Sequence, residues 1–346
     1  MTYSVVRFNL ADPDATRTSA RARYAAALEM ARYADEHGVD TLQTEEHHGA
    51  ANGWLPSPFT FAGAALGATR RLTVMISAVI GPLYDPLRLA EDIAVLDLLS
   101  GGRLVTVAGI GYRPEEYEQF GADWGRRGKL QDELLETLLT AWSGEPFAFR
   151  GRTVHVTPRP YTRPHPTLLV GGSSKAAARR AARLGLPFFP SAHLPELAAY
   201  YEEQCAAHGT SGFCMMPAAR TPLLHVSEDP ERAWATYGKH FLHEARTYAS
   251  WQSKDISSAV RSTAHTVEDL RAEGVYRILT PEQCVRLAGE SLVLHPLCGG
   301  MPVAEGHESL RLFAQRVLPR LAERTGAAGG TGDAPEAGGA PETGGA

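Results

Sequence analysis

One feature constrains this 346-residue chain more than any other: short apolar, β-branched runs alternate with amphipathic helical stretches about eight times. The apolar runs are Val5 to Leu10, Thr41 to Thr44, Leu72 to Ile80, Leu104 to Ala108, Thr167 to Val170, Leu186 to Phe189, Pro222 to Val226 and Ser291 to His295. Helical periodicity fills the gaps at Ala15 to His37, Pro58 to Ala68, Asp85 to Leu99, Arg127 to Trp142, Ser174 to Leu184, Pro195 to His208 and Glu308 to Arg324. The third of these is the best marked: Asp85 is placed to cap it, Pro86 fits its first turn, and Gly101-Gly102 stop it. Strands that are apolar along their whole length have both faces buried, which implies a parallel sheet clothed in helices. Eight such pairs favour a closed (β/α)8 TIM barrel in an α/β single domain over an open doubly wound sheet. The barrel is expected to occupy residues 1–325, with an Arg/Pro/Gly-rich excursion at Gly144 to Pro166 and extra helices between Ser227 and Gly289. Residues 326–346 contain only Gly, Ala, Pro, Thr, Glu and Asp, a composition with no apolar area to bury and therefore expected to be a disordered tail.

Composition narrows the partners. Lys+Arg number 34 against Asp+Glu 39, a net charge of −5, and no basic block occurs, so neither nucleic acid nor an anionic membrane is expected to bind. No apolar run approaches the ~18 residues of a membrane span, and the N-terminus lacks a signal peptide's charged start and apolar centre. The four cysteines have no Cys-x-x-Cys spacing and are expected to stay reduced in a cytoplasmic protein.

A barrel gathers its reactive groups where strands end and loops begin. Four such places carry unusual residues. Thr44-Glu45-Glu46-His47-His48 ends the second strand, and alternation sends at most one of the two histidines to the mouth. It reads as a proton donor or acceptor, as a polar pair capping a strand, or as part of a metal site, although a helical His-Glu-x-x-His is absent. Ser77 and Ala78 in the third strand are small enough to admit a flat ligand, or simply to pack. Gly109-Ile110-Gly111 after the fourth strand is a weak signal and equally a plain turn. Gly171-Gly172-Ser173-Ser174 leaves the fifth strand and opens a helix, which makes a seat for phosphate or an ordinary serine cap.

Together these places resemble the bacterial luciferase-like flavin-dependent monooxygenase family. The resemblance is carried by Glu46-His47-His48, by Asp85-Pro86-Leu87-Arg88-Leu89-Ala90-Glu91-Asp92 with Ser100-Gly101-Gly102-Arg103, and by Gly109-Ile110-Gly111 with Phe120-Gly121. Pro164-x-Pro166, Gly171 to Ser174 and Leu294-His295-Pro296 extend it across roughly residues 1 to 323. It implies a barrel holding FMN, or in some branches a 5-deazaflavin coenzyme, in its mouth, and no metal. His47 matches the active-site histidine, and Ser77-Ala78 the pair that often forms a non-prolyl cis peptide under the flavin ring. Gly109 falls where the luciferases place a cysteine, so no thiol is expected there. Gly171, Gly172, Ser173, Ser174 and Arg127 match cofactor-phosphate positions, with Arg126 and Lys129 as substitutes for Arg127.

The function so implied is oxygenation of a small organic substrate by reduced FMN and dioxygen. No nicotinamide fingerprint is present, consistent with a separate flavin reductase as partner. The alternatives are a deazaflavin-dependent dehydrogenase or reductase on the same barrel, or a non-catalytic flavin-binding subunit. The Trp54 to Phe61 loop and the excursion around Tyr161 are candidates to cover the pocket. A homodimer is expected, with Ala90 and Ala94 as candidate contact residues or as ordinary helix–sheet contacts.

Overall fold

The computed structural model describes residues 2–219, 222–252, 258–287 and 291–328. The strands are β1 (Ser4–Phe8), β2 (Thr41–Thr44), β3 (Thr73–Ile80), β4 (Leu104–Gly109), β5 (Phe147–Phe149), β6 (Arg152–Val154), β7 (Thr167–Gly172), β8 (Phe188–Pro190), β9 (Leu223–Val226), β10 (Tyr276–Leu279) and β11 (Leu292–Leu294). The helices are α1 (Arg17–Glu36), α2 (Pro58–Ala68), α3 (Pro86–Ser100), α4 (Pro114–Phe120), α5 (Arg127–Ala141), α6 (Lys175–Arg183), α7 (Pro195–His208), α8 (Pro230–Trp251), α9 (Val267–Glu273), α10 (Pro281–Val285), α11 (Val303–Leu312) and α12 (Leu318–Ala328).

The eight strands read from the sequence are all present, and every ladder among them is parallel. Pairing runs β8-β7-β4-β3-β2-β1-β11-β9, with β10 added on the far side of β9. This is a (β/α)8 barrel carrying one extra parallel strand. Among the described residues no ladder joins β8 to β10; the segment around Cys214 forms a single bridge to Phe188 instead. The Gly144 to Pro166 excursion contains the antiparallel hairpin β5-β6, turned by Arg150 and Gly151, both at positive φ. Helix α12 runs to Ala328, so residues 326–328 of the expected tail are helical, and the rest of it, 329–346, lies outside the described residues.

Alternation sorts the side chains. Val6 and Phe8 of β1 point outward into the main core between strands and helices, whereas Met75, Val107 and Leu169 pack together inside the barrel. Alanine lets the helices come close, and Ala90 and Ala94 of α3 are fully buried in that core. They are therefore helix–sheet contacts and not a subunit surface, which corrects the first of the two readings above. The caps of α3 follow the sequence signals: Asp85 accepts from the Leu87 and Arg88 amides, and Gly101 ends the helix in the left-handed region at φ 66°.

At the opposite end from the mouth, one carboxylate ties α1 to the start of β3. Asp35 accepts from the backbone amides of Arg70, Arg71 and Leu72 at 2.9, 2.7 and 2.6 Å. Burial pushes its carboxyl up, but the three amides and the Arg71 charge pull it further down, to below the usual range. A group depressed in the folded state stabilises fully above its unfolded pKa and ceases to as pH falls through the folded value. Asp35→Ala is expected to cost about 2–3 kcal/mol near neutrality. In urea-unfolding series the gap to wild type should close below about pH 4; a gap of constant size down to acid pH would refute this account.

Candidate functional site

A cavity of ≈ 790 Å³ opens at the C-terminal ends of the strands, and all nine residues singled out from the sequence line it: His47, Ser77, Ala78, Gly109, Arg127, Gly171, Gly172, Ser173 and Ser174. They come from the C-terminal parts of four strands, β2, β3, β4 and β7, and from the segments that follow them.

One wall is flat. The Ser77–Ala78 peptide is cis, and the β3–β4 register slips at the same place, from Ser77↔Val107 to Val79↔Ala108, leaving Ala78 as the extra residue of a bulge. Opposite it the chain has no side chains to spare room for: a Cβ on Gly109 would lie 3.1 Å from the Ala78 Cβ, and one on Gly171 would lie 2.9 Å from the Val107 side chain. Glu46 holds the bulged strand, accepting from the Ile80 amide at 2.7 Å and the Tyr84 hydroxyl at 2.6 Å.

The second part is an anion seat. Ser174 caps α6, accepting from the Ala177 amide at 3.3 Å, so Ser173 and the first turn of α6 present donors to the cavity. Arg127 is held from the other side: its guanidinium stacks 4.0 Å from the Trp124 ring and donates to the Trp124 carbonyl at 2.9 Å. Arg126 and Lys129, the substitutes considered from sequence, are exposed and do not line the cavity, whereas Arg180, which sequence reasoning missed, does. Arg180 is positioned by Asp132 at 2.6 Å. Small floor, hydroxyls, helix terminus and guanidinium groups suit a flat ring with an anionic tail.

The third part is the histidine pair, which alternation divides as expected. His47 lines the cavity, while His48 turns away to Glu46 at 2.8 Å and packs against Phe120. Since the two rings diverge to different carboxylates, they do not form a common metal site. His47 is 6% exposed, with Trp54, Tyr248 and Trp251 around its ring. Its Nδ1 lies 3.0 Å from Glu116 Oε1 and its Nε2 3.0 Å from the Tyr112 hydroxyl. Burial raises the Glu116 carboxyl, but its bond to His47, the His48 amide and the Arg113 charge outweigh this and hold it below the usual range. Being ionised, it can only accept, so Nδ1 carries a proton.

Beneath the cavity lies a buried charge network that sequence reasoning did not find, although Arg7 within an apolar strand was its visible signal. Arg7 donates to Glu45 at 2.6 Å and to Glu244 at 3.2 Å. Glu244 also takes Asn9 at 2.8 Å, His295 at 2.9 Å and the Cys298 thiol at 3.2 Å. Burial raises the Glu244 carboxyl, but His295 and Arg7 bring it far below its ordinary value. Glu244, His295 and Cys298 are residue types that ligate metals, with ligand atoms within 4.8 Å of one another; in this network the carboxylate is occupied by five protein partners, the Tyr276 hydroxyl at 3.3 Å being the fifth. Two expectations about covering elements divide. Trp54 packs beside His47, but Tyr161 is 64% exposed and sits near Gly102, at the far end of the barrel from the mouth. The excursion therefore does not cover the pocket.

These features give the barrel a mouth whose shape and charge suit a flat, anion-tailed molecule beside a buried imidazole. A model of the luciferase-like monooxygenase family matches residues 1–287, and the chain belongs to that family. It is similar to the alkanal monooxygenase alpha chain of the Kryptophanaron alfredi symbiont, with 28% identity over 337 residues, 86% of this chain and 93% of that one. It is also similar to an FMNH(2)-dependent dimethylsulfone monooxygenase of Pseudomonas putida, 28% identical over 169 residues and 46% of each chain. The chain spans about half the length of the first curated relatives it matches. Among solved structures, the monooxygenase RslO1 from Streptomyces bottropensis superposes with a TM-score of 0.72 at 26% identity, covering 92% of this chain and 99% of that one. The oxygenating constituent of 3,6-diketocamphane monooxygenase from Pseudomonas putida, in complex with FMN, shares the fold at a TM-score of 0.64 and 17% identity, over 92% and 98% of the two chains.

Removing one partner of a buried, hydrogen-bonded charge network leaves the others uncompensated. Glu244→Leu is expected to destabilise the fold by about 3–5 kcal/mol in denaturant titrations. A loss below about 1 kcal/mol would mean that Arg7 finds full compensation in Glu45 alone.

Proposed function

We propose that this protein is a cytoplasmic flavin-dependent monooxygenase that uses reduced FMN and dioxygen to oxygenate a small organic substrate, with the reduced flavin supplied by a separate reductase. The observation that carries the reading is the convergence in one cavity of the glycine-lined slot at Ser77–Ala78, the anion seat and buried His47. Among the described residues no helix is long and apolar enough to cross a membrane.

The chain's own groups divide the work. Ser173, Ser174 and Arg127 grip the phosphate, with the amides at the start of α6. Gly109, Gly171 and the Ala78 bulge admit the ring between them. When bound, reduced FMN supplies the electrons that activate dioxygen. His47, held by Glu116, moves protons at the reacting end. The aromatic rings of Trp54, Tyr248 and Trp251 keep bulk water from that end.

The same slot and seat would accept a 5-deazaflavin coenzyme, and an F420-dependent secondary alcohol dehydrogenase shares the fold at a TM-score of 0.63 and 17% identity. The test is therefore a titration of the purified protein with FMN, riboflavin and a deazaflavin, followed by reduction and exposure to oxygen. FMN should bind more tightly than riboflavin. Arg127→Ala should weaken FMN by roughly 10- to 100-fold, the worth of one charge-assisted hydrogen bond, and leave riboflavin nearly unchanged. Affinity for the deazaflavin alone would convert the reading to hydride transfer. Binding without turnover would favour a non-catalytic subunit, and no binding at all would end it.

A homodimer forms, on this reading, through the outer face of α3. There Val95, Leu98 and Leu99 are solvent-exposed, Leu99 to 73%, an unusual concentration of apolar surface for one helix face. A second copy would cover it isologously. In light-scattering measurements Leu99→Arg should run as a monomer where wild type runs as a dimer. A monomeric wild type would exclude this assembly.

A further inference from the structure

Neither nitrogen of His47 is free. Nδ1 is committed to the ionised Glu116 at 3.0 Å, and Nε2 to the Tyr112 hydroxyl at 3.0 Å. The ring edges are closed by Trp54, Tyr248 and Trp251. The imidazole thus borders the cavity, yet its one polar outlet on that side runs through Tyr112. Tyr112 itself lines the cavity and, unlike His47, keeps some exposure as a residue, although its hydroxyl is well buried.

We propose that the Tyr112 hydroxyl is the group that passes a proton into the cavity, with His47 and Glu116 standing behind it as its proton source. This rests on the flavoenzyme reading above.

A phenol oxygen can accept two hydrogen bonds and donate one. Here Tyr112 stands beside the Gln252 side chain, just past α8, in the cavity lining and, when His47 is doubly protonated, accepts from Nε2–H. Its own hydrogen is then left for the molecule in the cavity. In the transfer the Tyr112 Oη–H bond breaks and its proton goes to a basic oxygen or nitrogen of that molecule. The Nε2 proton moves onto Oη as the first one leaves. His47 ends as neutral imidazole still bonded to Glu116, Tyr112 ends as the phenol it began as, and one proton has been delivered. No electrons move; when the cavity is empty a hydronium ion protonates the Tyr112 oxygen as the Tyr112 hydrogen passes to Nε2, which restores the imidazolium and leaves water. The relay has the logic of a carboxylate–histidine–hydroxyl triad run in the donating direction.

The surroundings explain why Tyr112 needs the imidazole. Burial and the carboxylates of Glu45 and Glu116 hold its hydroxyl far above the ordinary value, with Arg113 and Gln252 opposing them only in part. Tyr248, from α8, is also buried close by and held high by the same Glu45. The phenol therefore does not persist as an anion; it releases a proton only as another replaces it.

Two measurements test the relay. The first follows the return of oxidised-flavin absorbance after the reduced-FMN protein meets oxygen, in mixtures of H2O and D2O. Wild type should give a bowed dependence on deuterium fraction, from two protons in flight. Tyr112→Phe should bind FMN as wild type does, react about 100-fold more slowly and give a straight line. The second uses nitrogen-15 spectra of the imidazole in flavin-free protein, where Tyr112→Phe should shift the His47 Nε2 resonance and leave Nδ1 in place. A straight line for wild type, or a Tyr112→Phe protein as fast as wild type while His47→Ala is slow, would overturn the proposal. So would an Nε2 resonance indifferent to Tyr112. If no variant binds flavin, the functional reading fails instead, and the nitrogen spectra still decide whether the chain of bonds exists.

Discussion

A cation inside a barrel must be neutralised before anything else can be built there, and Arg7 is that cation. Its side chain points inward from β1, where water cannot solvate it, so two carboxylates meet it, Glu45 from the end of β2 and Glu244 from α8. Those two bonds fix more than a charge. Glu45 anchors the first residue of the Glu45-Glu46-His47-His48 run, and the alternation that sends Glu45 to Arg7 also sends His47 to the cavity. Glu244 docks α8 over the barrel, and α8 carries Tyr248, with Gln252 just past its end, to the His47 side of the cavity. The site's geometry thus descends from one buried ion pair network and not from the loops alone.

The alternation of strands and helices was legible because it is a matter of period and burial. Each of the eight apolar runs became a strand, since a run apolar on both sides has no stable place except between helices and a barrel interior. The elements that escaped are those whose signals are weak for physical reasons. Strand β10 is four residues long, includes Arg277, and lies in a stretch dominated by helical periodicity. Hairpin β5-β6 has three-residue strands joined at Arg150-Gly151, and Arg is not a residue that advertises the positive φ it adopts there.

Site residues divide along the same line. His47, Gly171 and Ser174 sit at strand ends, where a fold class tells one to look. Glu116, 69 residues from its partner His47, sits on α4 in a run of charged residues that reads as a solvated helix start. Arg180 likewise looks like one of several surface arginines on α6 until the cavity shows which of them turns inward. Sequence separation hides such pairings because the barrel closure, not local spacing, brings them together. Ala90 and Ala94 show the converse error: small helix residues look like a place for a second chain, but the barrel had first claim on them.

The two ends of the cavity also obey different electrostatics, and this decides what each can do. Towards α6 the lining is cationic, with Arg127 and Arg180 and a helix terminus, so that end suits an anion with no proton moving. Towards β2 the nearby ionisable groups are Glu45, Glu46 and Glu116, offset by Arg7 and Arg113, and the surplus sits on acceptors. In such a setting a phenolate at Tyr112 is not favoured. A molecule with an anionic tail would therefore be oriented before any chemistry begins: its anion has a cationic seat at one end, and negative charge developing at the other would meet the Tyr112 hydroxyl in place of a fixed cation.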